Sequence, residues 1–487
     1  MAAKFNHLVV LMLENRSFDH MLGRLYHHDN PDPYHIVPRG QVFDGVSDDM
    51  FNSILALPAA DVPPTAINAH RTKDFRTPLK FDIGHSFDNV KLQINGSLPP
   101  SSHMDGFVAS RIADLKAAEP HHTITQAEMA EPMAGFSPTT HAANGSGPFA
   151  DARVICSLAR DFAVCDNWHA SVPGPTFPNR SFLHAATSNG FVANGPAGKW
   201  ATKHAPTIFN RLKEAGLSAK IYHSHGGPNG FPALVYELHP PVTRAAFPPH
   251  SFDDFVSDAQ GKPDKHGKRR KLPEYSFIEP EIVGSDTSWN PNDQHPARDI
   301  RWGEDLIQQT YEAISTGPYW EDTLLIITYD EHGGFFDHRY PPADLPPSIG
   351  TGEENFSFTQ LGVRVPGVLV SPRIEAGTIF HPKCLVDHTS VIRTICKRWN
   401  LPSLTPRDLA ACDLSAVLGN TVRKDIPKIA KVDLSTAKVE NLPLNDLQRD
   451  YLALVAANRD IKLPHMETEE HARAFLTEAA KVPRKTD

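Results

Sequence analysis

Cysteine is scarce in this chain of 487 residues, and the five present, Cys156, Cys165, Cys384, Cys396 and Cys412, form no Cys-x-x-Cys pair. An odd count gives no complete disulfide framework, so reduced and mostly buried thiols are expected. Long hydrophobic runs are missing too. The apolar stretch at residues 8–13 is far too short to span a membrane, and it stops at Glu14 and Asn15 rather than continuing as a signal segment. The expectation is a chain that either stays in the cytoplasm or has already lost a leader. Nor is there an excess of cationic residues: 48 Lys and Arg against 57 Asp and Glu leave a net charge of −9, which argues against a nucleic-acid surface. A Gly-x-Ser-x-Gly elbow is absent, and Gly195-Pro196-Ala197-Gly198-Lys199-Trp200 lacks both the glycine spacing and the hydroxyl of a P-loop. With 40% hydrophobic residues the chain can build one large α/β core, or a core with an appendage.

What is present is chemistry at the ends of apolar strands. Leu8 to Leu13 reads as a central strand buried on both faces, and polar residues begin abruptly with Glu14-Asn15-Arg16-Ser17-Phe18-Asp19-His20-Met21-Leu22-Gly23. Ligands in open α/β sheets bind at the carboxyl ends of strands, where a carboxylate and an amide offer hard oxygens to a metal. Thr323 to Tyr329 repeats the design, followed by Asp330-Glu331-His332-Gly333-Gly334-Phe335-Phe336-Asp337-His338. Adjacent carboxylates at a strand end repel each other unless a cation or donors compensate. Side by side, the two strands would bring Glu14, Asn15, Asp330 and Glu331 around one point; the bland alternative is two unrelated solvated turns. A reacting partner is offered by Ser171-Val172-Pro173-Gly174-Pro175-Thr176-Phe177-Pro178-Asn179-Arg180. Its prolines stiffen the turn, metal coordination can activate the Thr176 hydroxyl, and Arg180 suits phosphate oxygens. Helix is expected from Arg180 onward. Taken alone, Thr176 is more commonly a turn hydroxyl bonded to its own backbone.

These segments, with Gly362-Val363-Arg364-Val365-Pro366-Gly367 and its continuation to Pro372, together resemble the phosphoesterase family of non-specific phospholipases C and related bacterial acid phosphatases. The resemblance covers about four fifths of the chain. It implies an alkaline-phosphatase-like three-layer α/β sandwich, with a mostly parallel central sheet flanked by helices and carrying long loop insertions. It also implies that Thr176 is transiently phosphorylated, and that Glu14, Asn15, Asp330 and Glu331 hold a divalent ion. An oxygen set favours Mg²⁺, Ca²⁺ or Mn²⁺ without excluding Zn²⁺. His295, in Gln294-His295-Pro296-Ala297-Arg298-Asp299, matches a histidine near the leaving group. His85, His223 and His225 match regions whose histidines line the phosphate pocket, although Asn89, Lys91 and Gln93 stand where many bacterial members place another histidine. His295 and Asp299, four residues apart, could share a helical face, for metal binding or for proton donation, the second being preferred. His332 belongs to the same weighing, and His388 is either a site residue or a helix-start residue.

The coarse pattern is strands alternating with helices: apolar Val154 to Cys156 and Phe162 to Val164, an amphipathic stretch from Ile300 to Ile314, and a strand-like Val363 to Val370. Residues 28–80 and 95–150 read as long insertions of the kind that cover active sites. The basic run from Lys262 to Lys271 reads as a solvated turn, with transient contact to an anionic membrane surface as the alternative. The catalytic domain is expected over 1–415. A polar tail over 416–487, with helical patches at Asn445 to Asn458 and Glu467 to Ala480, is expected to cover the core or join subunits. The functional expectation is a metal-dependent hydrolase of phosphate esters acting on a phospholipid or a small ester by phospholipase C-type cleavage. A broad phosphomonoesterase and a non-enzymatic cation-binding protein are the alternatives.

Overall fold

A computed structural model describes residues 4–26, 35–54, 66–77, 79, 81–96, 104–140, 148–202, 204–224, 233–284, 290–348 and 350–485. Its centre is an eight-stranded sheet. In chain order the strands are β1 (His7–Leu13), β2 (Ala163–Cys165), β3 (Ala219–His223), β4 (Pro249–Ser251), β5 (Tyr275–Glu279), β6 (Thr323–Tyr329), β7 (Gly367–Val370) and β8 (Thr378–Ile379). Across the sheet they run β8-β2-β7-β6-β1-β5-β3-β4. All neighbouring pairs are parallel except those made by β7, which runs against both β6 and β2.

The two most hydrophobic strands lie next to each other at the middle of the sheet, where neither face meets water. Every residue of β6, and Leu8 to Leu13 of β1, is buried. Their parallel register pairs Leu13 with Tyr329, so the residues that follow, Glu14 and Asp330, emerge side by side about 4.8 Å apart, the usual strand spacing. The backbone bond from Asp330 N to Leu13 O, 3.1 Å, extends the ladder to that point.

Helices cover both faces. Tyr222 and its register partner Ile278 point to one side, where Tyr222 meets Phe255; Tyr275 and Phe277 point to the other, where they meet Phe209 and His184. Helix α1 (Arg153–Asp161), with Val154, Ile155, Leu158 and Ala159 buried, lies against α3 (Arg301–Ser315). In the second layer α2 (Thr176–Ala185) contacts α4 (Thr389–Trp399). The expected α/β class and mostly parallel sheet are therefore present. Val154 to Cys156 is helical rather than a strand: its apolar run supplies the buried stripe of α1, whose first amides are accepted by the buried Glu304 carboxylate. Of Val363 to Val370 only the last four residues are strand.

One further expectation changes, and the basic run 262–271 is the exposed turn that was expected. Cys384 and Cys412 are brought to a Cα separation of 5.4 Å and joined by a disulfide, while Cys156, Cys165 and Cys396 remain free and buried. The basic run 262–271 leads into the amino end of β5, the edge of the sheet opposite to Glu14 and Asp330; Arg270 there is paired with Asp254. The tail forms helices α5 (Asp446–Arg459) and α6 (Glu469–Ala479), whose Leu447, Tyr451, Val455 and Leu476 share a core with Phe177, Trp200 and Leu234. Among the described residues no helix is long and apolar enough to cross a membrane.

Candidate active site

The carboxyl ends of β1 and β6 carry a buried acidic cluster. Arg180, one turn into α2, sends Nε to Glu14 Oε1 at 2.6 Å and Nη2 to the same atom at 2.5 Å, and also reaches Met12 O. The guanidinium expected to meet phosphate oxygens here fixes Glu14. The other oxygen, Glu14 Oε2, accepts a hydrogen bond from Thr176 Oγ1 at 3.2 Å. Thr176 opens α2, four residues earlier than expected. The turn before it owes its shape as much to Asn179 as to the prolines, because Asn179 Nδ2 donates to the carbonyls of Val172, Gly174 and Pro175 while its Oδ1 accepts Val172 N–H.

Asp330 is the anomaly. Neither carboxylate oxygen has a hydrogen-bond partner among the described residues, and Asn15 Oδ1 is equally unpartnered. Burial, together with the Glu14 and Glu331 carboxylates, pushes the Asp330 carboxyl well above its ordinary pKa. Leaving buried acceptors unmade is costly, so three orphaned oxygens beside a second carboxylate fit a hard divalent cation. Glu331 is less available: Oε1 accepts the Asn15 amide at 2.7 Å, and Oε2 accepts Gly333 N–H at 2.8 Å. Gly333 itself has φ of +64°, and a Cβ there would run into the Asn15 backbone, so only glycine allows this approach.

The histidines divide. His85 Nε2 lies 3.7 Å from Glu331 Oε1 and 3.0 Å from Asp446 Oδ2; His295 Nε2 lies 3.2 Å from Asp446 Oδ1. Burial favours a neutral ring, but at His295 the Asp446, Asp82 and Asp293 carboxylates outweigh it and raise the pKa to about 9; Glu331 and Asp446 likewise hold His85 well above its usual value. His332 sits behind Glu331, with Nε2 on Gln93 Oε1 at 2.8 Å, so Gln93 occupies part of the room where a further histidine was sought. His388 stands at the start of α4 and supports Asp330 from behind: its Nδ1 accepts Trp168 Nε1–H, which leaves Nε2 to donate to the Asp330 carbonyl at 2.6 Å.

Two expected pocket residues fall elsewhere. Asp299 does not share a helix face with His295, since helix begins only at Arg301, and its carboxylate is held by Arg301 Nε and Nη2. His223 closes β3, two strands from β1, stacked on Tyr236 and pushed down to a pKa of about 4 by burial. His225 lies outside the described residues.

Residues that the sequence did not single out complete the cluster. Asp293 accepts Glu14 N–H through its carbonyl at 2.7 Å and His295 N–H through Oδ1 at 3.2 Å; burial raises its pKa to about 7. Asp82 and Asp446 contribute the charge around the histidines. The only signal for Asp293 is its place in an acidic and amide run, Asn290 to Gln294, just before His295. Asp446 gives no local signal at all. Besides oxygens at the strand ends, the described residues include a nitrogen and oxygen group able to ligate a metal, His85, His295 and Asp446.

The profile of the Phosphoesterase family matches residues 5–402. "Non-specific phospholipase C3" of Arabidopsis thaliana is 32% identical over 491 residues, covering 96% of this chain and 84% of that protein. "Non-specific phospholipase C6" of the same organism is 33% identical over 475 residues, covering 92% and 80%. "Phospholipase C B" of Mycobacterium tuberculosis is 26% identical over 482 residues, covering 90% and 81%. Among solved structures, a protein in the alkaline phosphatase superfamily from Vibrio parahaemolyticus overlaps with a TM-score of 0.33 at 11% identity, covering 68% and 81%, a likeness too weak to bear on the site.

Proposed function

The chain belongs to the Phosphoesterase family, and from that premise we propose that this phosphoric ester hydrolase cleaves phosphodiesters in the manner of a phospholipase C, with a divalent cation and a phospho-threonine intermediate. The observation that carries the reading is the Thr176 hydroxyl on Glu14, beside the unpartnered Asp330 carboxylate, at the ends of two adjacent central strands. Glu14, Asn15 and Asp330 would hold the cation, with Glu331 behind them. When bound, that ion supplies Lewis-acid stabilisation of developing negative charge on phosphate oxygens.

The chain's own groups then divide the work. Glu14, oriented by Arg180, accepts the hydrogen bond of the Thr176 hydroxyl and so draws its proton from the attacking oxygen. Thr176 Oγ1 forms a bond to phosphorus as the bond to the leaving alkoxide breaks. His295, protonated at neutral pH, gives its proton to that oxygen, so a free alcohol departs. The neutral ring can next accept a proton from the water that attacks phosphorus; the bond from phosphorus to Thr176 Oγ1 breaks, and Glu14 returns its proton to that oxygen. Protonated His85 adds a second positive charge for the phosphate.

That pair of cationic histidines also suits a dianionic monoester, which keeps broad phosphomonoesterase activity as a second reading. A panel of phosphatidylcholine vesicles, glycerophosphodiesters and simple alkyl monoesters, assayed with and without chelator, tests both. The first reading expects phosphocholine release from the lipid that stops when the cation is removed and returns when it is restored. Inorganic phosphate from monoesters alone would transfer the assignment to the second, and turnover unaffected by chelator would end the metal-dependent reading.

A further inference from the structure

We infer that Asp446 is a positioning residue for the transfer step, one carboxylate that seats His85 and His295 together beside the acidic cluster; the inference deepens the proposed function and rests on it. Asp446 lies beyond residues 5–402, the span matched by the family profile, and on the tail rather than on the sheet. Each of its oxygens lies at ion-pair distance from one ring: Oδ2 is 3.0 Å from His85 Nε2, and Oδ1 is 3.2 Å from His295 Nε2. The two ring centres are 6.4 Å apart with planes at 67°, so they do not stack, and the Asp446 carboxylate lies between their Nε2 atoms. One carboxylate facing both Nε2 atoms sets the two orientations together.

The carboxylate is itself held from behind. The Asp446 N–H donates to Asp82 Oδ2 at 2.9 Å, which joins the start of α5 to the segment just before His85. Asn445 caps the same helix by accepting Gln448 N–H, and its Nδ2 lies 3.2 Å from His295 Nδ1. Gln448 Nε2 donates to Ile282 O at 2.7 Å, and Arg298, three residues past His295, pairs with Glu469 of α6. The tail is thereby tied to the His295 loop on both sides of the histidine. Without Asp446, His85 keeps its Nδ1 bond to the Ile83 carbonyl at 2.8 Å and has Glu331 at 3.7 Å, while His295 keeps its Nδ1 contacts to Asn445 and the adjacent Pro296 carbonyl.

The test is Asp446→Asn and Asp446→Glu in the full chain, on one alkyl and one nitrophenyl phosphodiester, with thermal midpoint and bound cation per chain measured on the same samples. His295→Ala serves as reference. Because the histidine matters most when the leaving oxygen needs a proton, Asp446→Asn should lower kcat on the alkyl ester about tenfold or more and on the nitrophenyl ester less than about threefold. KM, thermal midpoint and cation content should stay near wild type, and Asp446→Glu should recover part of the alkyl activity. Equal losses on both esters, or a loss that only tracks a lowered thermal midpoint, would make Asp446 merely structural and overturn the inference. Loss of a bound cation would make it a ligand instead, with the same result. An active wild type and an unchanged Asp446→Asn would overturn the inference alone; a wild type inert on both esters would overturn the parent reading and the inference together.

Discussion

Thr176 differs from an ordinary helix-start hydroxyl in what its oxygen faces. It points at a carboxylate already oriented by a buried guanidinium, on a turn whose carbonyls are gathered by a single asparagine side chain. Thr176→Val keeps the branched shape and removes the oxygen, so the variant should fold and bind ester yet lose turnover by about a thousandfold or more. Thr176→Ser should keep a measurable part of it. Acid quenching during wild-type turnover, followed by peptide mapping, should find phosphate on the Thr176 peptide; normal turnover by Thr176→Val would exclude the covalent route. This residue was legible in the sequence because its setting is local, a hydroxyl inside a proline-rich turn. Glu14 and Asp330 were legible for a related reason, since a polar residue that ends an apolar run reports its own place on a sheet. The pairing of Arg180 with Glu14 was not legible, because nothing nearby in sequence names Glu14 as its neighbour, and Asp446 gave no signal because its two histidines lie far away in the chain.

At the scale of elements, the segments around the site are joined by a second charged network. Arg364, just before β7 and fully buried, directs Nε to Asp337 Oδ1 at 2.9 Å and Nη2 to Asp19 Oδ1 at 3.1 Å. Asp19 Oδ2 also accepts from His338 Nδ1 at 2.7 Å, and His338 Nε2 meets Asp44 Oδ1 at 3.0 Å. The turn after β1, the loop after β6 and the approach to β7 are thus pinned at one point. Removing one partner of a buried pair strands the others, so Arg364→Gln should cost about 3–5 kcal/mol in urea unfolding. His338 adds a pH signature. Burial alone would lower its pKa, but Asp19 and Asp44 outweigh that and raise it to about 10, while Asp19 and Asp44 are themselves lowered. A raised histidine stabilises fully below its unfolded value near 6.5 and loses that contribution as pH rises through about 10; depressed carboxylates lose theirs as pH falls below about 4. The stability gap between wild type and His338→Gln should therefore be widest near pH 5–6 and shrink steadily towards pH 10, read from urea midpoints. A gap that widened with pH would contradict the pairing. The sequence showed these charged residues only as parts of motifs, because a network drawn from four separate segments has no period to read. Secondary structure was more open to inspection where amphipathic spacing was sustained, as in Arg301–Ser315, than in the three apolar residues Val154 to Cys156, which a strand and a buried helix stripe would share.

For the whole molecule, the site is where the fold gives up stability. Among the described residues Asp330 is a buried carboxylate with both oxygens unpartnered, next to Glu14 and Glu331. Such an arrangement persists only if something bound to the folded state compensates for it. Two opposite effects of one substitution follow. In chelator, Asp330→Asn removes the cost of burying a carboxyl that ionises freely in the unfolded chain while keeping the shape, so the variant should unfold at a higher temperature than wild type, by roughly 1–3 kcal/mol of added stability. With Mg²⁺, Ca²⁺ or Mn²⁺ at about a hundredfold over the dissociation constant, wild type should gain roughly 2.7 kcal/mol through binding to the folded form alone, and the variant little or nothing. The order of the two melting temperatures should therefore reverse or close when cation is added. Scanning calorimetry of both proteins in each condition measures it, and reversible binding of the cation to wild type checks its source. Equal stabilisation of both proteins by cation would show that the ion sits away from Asp330. A chelated Asp330→Asn no more stable than wild type would mean that the acidic cluster is compensated from within the protein and requires no ion to hold it.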